Sequence, residues 1–452
     1  MPAAPYRKRV AHAFAALSRE RDLRARDAWT PEQLADHQAE RLGELVRHAV
    51  ERSAFYRERF AGLDTSGPID LAALPPVRKD ELMERFDDWV CDPRLRRDAV
   101  ERHLAGVEGD ALYLDRYRVM ATGGTTGRRG LFVFDRPEWV ELCALMLRGL
   151  RSHGLTPKLP RRRRLATVLA PSAAHMTWRI SASMDFGLHR NLRLAVTQPM
   201  DEIVRELNAF GPDYLAAYPS MGALLAEEQL AGRLRIAPTT VSTSSEVCTP
   251  EMRGRMLAAW GVEPHEIYGA TDGLWGFTCE QHGGLHFAED ETIVEVEDER
   301  LLITNLFMHT QPIIRYEVTD LVRVAGQPCA CGRPSRAVTA IEGRSDDILR
   351  LPGGVVLHPI HLRSPMARME GVRQYQIVHR ADGLHVRVVP RGGDVRETVR
   401  AAMVDALEAG GATGVPVHVE VVDTIERDAT GVGKLKLVRS EVDRPVAAPA
   451  VR

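Results

Sequence analysis

The feature that most constrains this 452-residue chain is a loop rich in glycine and threonine. The loop consists of Thr122, Gly123, Gly124, Thr125, Thr126 and Gly127, and it is followed by Arg128 and Arg129. Residues this small cannot form a core, but their backbone N–H groups and hydroxyls can surround a polyphosphate. The spacing matches neither the Walker loop nor the dinucleotide fingerprint. An ordinary surface loop therefore remains the alternative until the rest of the chain is considered.

Length and composition limit the kinds of protein to consider. The chain is too long for one ordinary core, so we expect two or three domains. A formal charge of −2 does not favour binding to nucleic acid or an anionic membrane. No apolar run approaches the roughly 20 residues that span a bilayer. The basic segment 1–19 faintly resembles a transit peptide, but we expect a solvated leader into the first helix.

Cysteine content favours a reducing environment. The six cysteines are sparse for this length and do not suggest a disulfide framework. We therefore expect a cytoplasmic protein. Cys329 and Cys331 are separated by one residue, which is unusual for two unrelated thiols.

Hydrophobic periodicity predicts an α/β fold. Residues 31–60 and 137–153 carry apolar residues at helical spacing, and residues 79–89 form a further candidate helix. Short β-like runs flank the glycine-rich loop. Strand-like and helical segments then alternate over residues 165–268, which predicts mostly parallel strands with helices on both faces of the sheet.

Two further units are expected after this alternation. Short strands at residues 292–296, 301–304 and 321–324 predict a small antiparallel subdomain. Residues 344–452 contain a hairpin, a helix and a strand, and we predict that they form a small mobile C-terminal α+β domain. The large N-terminal domain would then comprise residues 1–343.

Five later segments share the polar character of the glycine-rich loop. Each is a weak signal alone, because a turn or a linker could have the same composition. They are Ser244-Ser245-Glu246, Tyr268-Gly269-Ala270-Thr271-Asp272-Gly273, the stretch PIIRYEVTD at 312–320, the stretch IEGRSDD at 341–347, and Gly431-Val432-Gly433-Lys434-Leu435-Lys436.

Together, in this order and spacing, the segments resemble the adenylate-forming superfamily of acyl-CoA and aryl-CoA ligases. The stretches PIIRY…TD and IEGRSDD are most similar to the phenylacetate–CoA ligase branch, and the resemblance extends over residues 117–439. It implies an ATP-dependent ligase that converts a carboxylic acid, expected to be aromatic, into an acyl-AMP and releases pyrophosphate. Transfer of the acyl group to CoA would then give a thioester.

The resemblance assigns the phosphate contacts. Residues 122–127 would hold the β- and γ-phosphates of ATP, and Arg128 and Arg129 stand where the family often has lysine. Thr271 would contact the α-phosphate. Asp272 replaces the usual glutamate at the Mg²⁺ position; its shorter carboxylate still suits a hard cation.

The resemblance also assigns the adenosine contacts. Ser245, Glu246 and Tyr268 would border the adenine. Asp320 would bind both ribose hydroxyls, because a carboxylate can accept two hydrogen bonds. Arg344 would lie near the ribose or a phosphate.

The C-terminal assignments follow from the same resemblance. Lys434 matches a catalytic lysine that offsets the repulsion between the attacking carboxylate and the α-phosphate. Lys436 is its rival, and a surface lysine is the neutral alternative. Asp346 would be the hinge between the domains. Gly353 and Gly354 fall at positions that line the CoA channel in the family. The sequence around them departs from the family motif, so the resemblance supports CoA as the acceptor less strongly than it supports adenylation.

The acid-binding pocket is assigned from strand ends. The candidates are Ala217, Tyr218, Gly269 and Ala270. Of these, Gly269 is also assigned to the nucleotide by the resemblance. His175 could contact the carboxylate or a ring substituent, or it could simply be packed.

Four residues resemble the structural zinc site of some members of this branch. They are Cys279, His286, Cys329 and Cys331, a set that suits tetrahedral Zn²⁺. His286 is preferred over His282 because the Gly-Leu-His phrase at 284–286 matches better. The alternative is a pair of buried free thiols with incidental histidines.

Two other functions remain open at the level of sequence. One keeps the adenylation and transfers the acyl group to an amine, a carrier-protein thiol or another small nucleophile. The other is a non-catalytic nucleotide-binding protein on the same fold. We expect small-molecule partners only, with a homodimer as a possibility.

Overall fold

The computed structural model describes residues 3–107, 110–122, 130–156, 161–169, 176–185, 187–297, 300–344, 349–352, 355–357, 359–367, 369, 371–426 and 435–442. The helices are α1 (Ala3–Ala25), α2 (Pro31–Arg52), α3 (Ala54–Arg59), α4 (Lys79–Glu84), α5 (Phe86–Trp89), α6 (Arg97–Ala105), α7 (Arg136–Ser152), α8 (Met176–Ser183), α9 (Met200–Phe210), α10 (Pro219–Leu230), α11 (Pro250–Trp260), α12 (Pro359–Ala367) and α13 (Arg396–Ala409). Among the helices described, none is long and apolar enough to cross a membrane.

The strands alternate with these helices and then follow one another directly. They are β1 (Arg118–Ala121), β2 (Leu131–Phe134), β3 (Arg164–Leu169), β4 (Arg190–Ala195), β5 (Tyr214–Ala217), β6 (Thr240–Ser244), β7 (His265–Gly269), β8 (Trp275–Thr278), β9 (Leu285–Phe287), β10 (Thr292–Glu297), β11 (Arg300–Asn305), β12 (Ile313–Val318), β13 (Asp320–Val324), β14 (Ala337–Arg344), β15 (Leu349–Arg350), β16 (Val356–Leu357), β17 (Val372–Arg380), β18 (Gly383–Pro390), β19 (Val417–Val421) and β20 (Val438–Ser440).

A nine-stranded sheet organises the first three quarters of the chain. Its order is β13-β14-β9-β8-β7-β6-β5-β3-β4. The pairs from β4 to β7 are parallel, as the helix–strand alternation predicts, and those from β7 to β13 are antiparallel. The predicted α/β fold class is confirmed.

The small antiparallel sheet differs in membership from the prediction. It contains β10, β11 and β12, so the segments 292–296 and 301–304 lie in it as expected. The segment 321–324 does not, because β13 pairs with β14 at the edge of the large sheet. A strand that joins a sheet through long-range pairing cannot be assigned to that sheet from its own sequence.

Local signals explain where the early helices begin. The side chain of Thr30 accepts a hydrogen bond from the Gln33 amide at 3.3 Å, and the Gln33 side chain accepts one from the Thr30 amide at 2.9 Å. This capping box starts α2 at the predicted position. The predicted helix over 31–60 is interrupted, because Ser53 caps a new helix by accepting from the Tyr56 amide.

The N-terminal segment is a packed helix and not the solvated leader that we expected. Helix α1 lies along α7, and Ala16 and Leu23 are fully buried. Glu20 is buried as well and accepts a 2.8 Å hydrogen bond from Arg151. A helix that is mostly alanine and arginine carries little amphipathic signal, which explains why the sequence did not predict its packing.

A buried ion-pair network fastens this N-terminal region to the sheet. Arg148 on α7 donates to Asp27 at 2.6 Å and to Asp290 at 2.9 Å, and Arg26 donates to Glu291 at 2.6 Å. Burial would lower the pKa of Arg148, but the carboxylates of Asp290 and Asp27 raise it above its usual value. Arg148 is therefore a fixed cation that joins three separate parts of the chain.

We predict that Arg148→Met destabilises the protein. Removing Arg148 leaves the buried Asp290 with Arg26 as a more distant cation, and loss of one partner from a buried pair costs up to about 3–5 kcal/mol. The midpoint of thermal unfolding should fall by several degrees. Arg102→Met is the matched control, because the ion pair of Arg102 with Asp98 is exposed and should contribute little. Equal midpoints for the two variants would contradict the structural role of Arg148.

Candidate functional site

The carboxyl ends of three parallel strands lie side by side. Register pairs Ala217 of β5 with Thr243 of β6, and Ser244 of β6 with Ile267 of β7. Because the three strands run in the same direction, the residues that follow them leave the sheet at one edge. The predicted site residues at these three strand ends therefore lie along one edge of the sheet.

Tyr268 and Asp320 are in direct contact at this edge. The Tyr268 hydroxyl donates to the Asp320 carboxylate at 2.8 Å. Asp320 begins β13, where its register partner is residue 344 of β14. The structure therefore brings together three of the positions that the resemblance assigns to adenosine. The backbone of Arg344 is described, but its side chain is not.

The turn after β7 holds Asp272 in place. The Gly273 amide donates to the Ala270 carbonyl at 3.1 Å, and Asp272 is buried with one carboxylate oxygen 3.4 Å from the Leu274 amide. Gly273 has a φ of +90°, and a Cβ there would lie 2.2 Å from the Asn305 side-chain nitrogen. Only glycine suits this turn, which presents Thr271 and Asp272 next to each other.

Glu246 links two distant parts of the chain. Ser245, just after β6, has a φ of +69°, and this left-handed residue turns the chain at the strand end. One Glu246 carboxylate oxygen accepts from the Ser220 amide near the start of α10 at 3.1 Å. The other accepts from the Leu435 amide at 2.7 Å. Leu435 directly follows Lys434, so this bond ties the C-terminal motif to the carboxyl edge of the large sheet.

The first residue of the glycine-rich loop has a cationic neighbour that sequence reasoning missed. The Thr122 hydroxyl accepts from the Gly130 amide at 2.9 Å and from the Lys79 ammonium at 3.4 Å. Lys79 is the first residue of α4, far from the loop in sequence. No motif marked this lysine; only the packing of α4 against the β1–β2 hairpin reveals it.

Several predicted residues lie outside the part of the chain that the structure describes. They are Gly123, Gly124, Thr125, Thr126, Gly127, Arg128, Arg129, His175, Asp346, Gly353, Gly354 and Lys434. Lys436, the rival of Lys434, is described, and its carbonyl accepts from the Gln376 side chain at 3.1 Å. In the candidate acid pocket, Ala217 and Tyr218 are both buried at the end of β5.

The four predicted metal ligands form a compact group. The ligand atoms of Cys279, His286, Cys329 and Cys331 all lie within 4.8 Å of one another. The Cys279 and Cys329 sulfurs are 3.7 Å apart, and the Cys331 sulfur lies 3.5 Å from His286 Nε2. His286 Nδ1 lies 3.0 Å from the Ser335 carbonyl, a partner that directs Nε2 toward the sulfurs. Three thiols and one imidazole fit tetrahedral Zn²⁺.

His282, the alternative zinc ligand, has a different environment. Its ring stacks on His265 at 4.4 Å, and His265 stacks on His153 at 4.2 Å. Burial and then the neighbouring His282 lower the pKa of His265 to about 4. The stack lines a cavity of about 390 Å³ at the amino ends of β6 and β7, opposite the edge that carries the candidate site.

A cluster of charges joins the large sheet region to the C-terminal region. Glu227 on α10 accepts from Arg255 at 2.8 Å, from Arg373 at 2.5 Å and from Arg391 at 3.0 Å. Arg255 on α11 also donates to the carbonyls of Val372 and Arg373. We call Glu227, Arg255, Arg373 and Arg391 the Glu227 cluster.

Sequence comparison identifies relatives with one shared name. The chain is 26% identical over 386 residues to a phenylacetate–coenzyme A ligase from Thermus thermophilus. The alignment covers 78% of this chain and 79% of the relative. It is 25% identical over 384 residues to the Escherichia coli K12 protein of the same name, with coverage of 78% and 81%. No family model matches the chain. The resemblance to the phenylacetate–CoA ligase branch is confirmed at this level of similarity.

Structural comparison gives a consistent fold. A 2-hydroxyisobutyryl-CoA ligase in the postadenylation state has a TM-score of 0.70 and 21% identity, covering 93% of this chain and 91% of that protein. The same ligase with its acyl-AMP and CoA in the thioesterification state gives a TM-score of 0.59 at 22% identity, covering 92% of both chains. The chain therefore has the fold of these CoA ligases.

We predict that the four-ligand group binds one zinc ion per chain. Protein purified without chelator should contain about one equivalent, and Cys331→Ser should lower both the zinc content and the unfolding temperature, because structural zinc contributes folding free energy. Cys91→Ser, outside the group, is the control and should keep its zinc. Elemental analysis that finds no zinc in the wild-type protein would contradict the assignment.

Proposed function

We propose that this chain is an AMP-forming ligase that joins a carboxylic acid to CoA. The carboxylate oxygen attacks the α-phosphorus of ATP, the bond to the pyrophosphate breaks, and acyl-AMP forms. The CoA thiol then attacks the acyl carbon, AMP leaves, and the thiol proton passes to solvent. The observation that carries the proposal is the carboxyl edge of the large sheet, where Tyr268 contacts Asp320 and Glu246 binds Leu435.

We further propose that the acid is aromatic. The relatives named phenylacetate–coenzyme A ligases support this choice, so phenylacetate is the first acid to test. The buried residues Ala217 and Tyr218 would border the acid, with Gly269 and Ala270 on the next strand end. His175 stays a prediction for the same pocket.

Two metal ions with different roles are proposed, Mg²⁺ at the nucleotide and Zn²⁺ at the cysteine-containing group. Asp272 beside Thr271 offers the hard oxygen donor that Mg²⁺ prefers, and Mg²⁺ would neutralise phosphate charge while acyl-AMP forms. The Cys279–His286–Cys329–Cys331 group would hold Zn²⁺ away from the reacting atoms and brace the sheet between β8, β9 and β14.

The C-terminal residues 344–452 are proposed to form a mobile domain that turns between the two half-reactions, with Asp346 as hinge. Their separate hydrophobic core supports the division; it includes Ile377, Val386 and Met403. Lys434 would reach the phosphoryl oxygens when the Leu435 amide is bonded to Glu246.

A cytoplasmic enzyme with small-molecule partners is the proposed setting. Cys91, Cys143 and Cys248, like the cysteines of the candidate zinc site, are free thiols and support a reducing compartment. A homodimer stays a prediction.

The second candidate function differs from the first in the molecule that accepts the acyl group. The phrase around Gly353 and Gly354 departs from the family pattern, which favours an amine or a carrier-protein thiol as the alternative acceptor. Pyrophosphate exchange that depends on an acid would support adenylation in both cases. AMP release that depends on CoA would support the CoA ligase alone. Absence of exchange with a broad panel of aryl and alkyl acids would leave a non-catalytic nucleotide-binding protein.

We predict that Asp320→Asn weakens the use of ATP. Loss of a charged hydrogen-bond partner costs about 1.5–3 kcal/mol, so the KM for ATP should rise about 10- to 100-fold, with little change in the KM for the acid. Asp98→Asn, an exposed carboxylate on α6, is the control and should behave as wild type. Equal effects of Asp320→Asn on both substrates would argue against a nucleotide contact.

We also predict a phosphate-binding role for Lys79. Lys79→Met should lower the rate of adenylate formation by about tenfold or more, because a cation beside the phosphate loop stabilises developing charge. Thioester formation from preformed acyl-AMP should change much less, and Lys79→Arg should restore part of the adenylation rate.

Arg78→Met provides the matched control for Lys79, because Arg78 is exposed and pairs with Glu317 outside the loop. The Lys79 role fails if both methionine variants slow adenylation equally. It also fails if Lys79→Met slows the two half-reactions to the same extent.

A further inference from the structure

A second group of metal-ligand side chains lies in the C-terminal sheet, and none of its members belongs to the candidate zinc site or to the proposed ligase site. This sheet has the order β19-β18-β17-β20. Strands β18 and β19 are parallel, and their register pairs His385 directly with His418. Asp382 lies in the turn that connects β17 to β18, next to the register pair Arg380 and Gly383. Three potential ligands from two strands and one turn thus meet on one face of the sheet.

The geometry of this group is already close to that of a coordination site. The two imidazole rings stack with centroids 4.7 Å apart and planes 29° apart. His385 Nε2 lies 2.8 Å from an Asp382 carboxylate oxygen. One ligand atom from each of the three residues lies within 4.8 Å of the others.

Bond lengths indicate how little movement binding requires. A metal ion bound by imidazole nitrogen and carboxylate oxygen at about 2.0–2.2 Å holds such atoms roughly 3–3.5 Å apart. His385 Nε2 and the Asp382 carboxylate oxygen are slightly closer than this, so the ion would take the place of the hydrogen bond between them. His418 needs only a change in ring orientation, because register fixes its backbone beside His385.

The surroundings favour one carboxylate as the ligand. The next register pair on the same face is Arg387 and Glu420, and their side chains form an ion pair at 3.4 Å. The guanidinium of Arg387 compensates the Glu420 charge. The Asp382 side chain is 65% exposed, so it is free to rotate toward an ion held between His385 and His418.

We infer that Asp382, His385 and His418 form a surface site for a divalent transition-metal ion, with water in the remaining coordination positions. Two imidazoles and one carboxylate select Zn²⁺, Ni²⁺, Co²⁺ or Cu²⁺ over Mg²⁺ and Ca²⁺, which prefer oxygen ligands. The site is independent of the cysteine-containing group and of the proposed ligase activity. A bound ion would fasten the outer strand β19 to the β17–β18 hairpin.

Nickel titration of the intact protein tests the site. Zinc already bound is quantified first, and Ni²⁺ binding is then measured by calorimetry without a chelator. The wild-type chain should bind one Ni²⁺ that His418→Gln and His385→Gln weaken at least tenfold. His361→Gln is the matched control: this histidine is exposed on α12, outside the group, and its loss should leave the affinity unchanged.

Hydrogen exchange provides a second measurement that does not depend on counting ions. Ni²⁺ should slow amide exchange over residues 417–421 in the wild-type and His361→Gln proteins but not in His418→Gln. Undiminished binding and protection in His418→Gln would overturn the site. Equal loss in His361→Gln would show nonspecific surface binding and would overturn it as well.

Discussion

The shared direction and register of β5, β6 and β7 is the constraint on which the candidate site depends. Parallel strands in register end together, so the residues after Ala217, Ser244 and Gly269 are delivered to one edge. Each of these strand ends is short and locally ordinary. Their combination creates a surface where backbone turns, carboxylates and hydroxyls can surround one ligand. A shift of one residue in any pairing would turn these side chains to the opposite face.

The contact between Tyr268 and Asp320 adds a constraint of longer range. In the order of the sheet, β13 lies four strands from β7, a separation of roughly 19 Å in a flat sheet. The tyrosine hydroxyl nevertheless reaches the aspartate. The antiparallel half of the sheet must therefore bend back toward the carboxyl edge of the parallel half. Bending of this kind, and not strand order alone, closes one side of the candidate site.

Sequence patterns predicted the parts of the fold that have strong local signals. Most of the alternating strands and helices between Arg164 and Gly269 were predicted to within a few residues, because turn residues and caps such as Thr249 before α11 mark their ends. Helix α8 was not predicted. The four candidate zinc ligands, which were chosen from the family resemblance, lie together in space. Tyr268, Asp272 and Asp320 were predicted from the motif resemblance. Tyr268 lies at the end of β7 and contacts Asp320, and Asp272 lies in the turn that follows β7.

The remaining features depend on packing that no local pattern records. Helix α1 lacks an amphipathic stripe, and its contacts with α7 include the ion pairs Arg19–Glu141 and Glu20–Arg151. Lys79 reaches Thr122 only because α4 packs beside the β1–β2 hairpin. The pairing of β13 with β14 joins residues to a sheet whose first strand, β3, begins at Arg164. Such long-range pairings are selected by the packing of the whole core, so they cannot be assigned from one segment at a time.

The Glu227 cluster has a consequence for how the chain would respond to its solution conditions. One carboxylate is surrounded by three guanidinium groups, two of them from the C-terminal region. Any rotation of that region must separate these charges and hydrate them. Dissolved salt screens partly exposed ion pairs, so higher ionic strength would favour the separated arrangement. The joint between the two regions would then act as a sensor of ionic strength, distinct from the groups that hold the ligand.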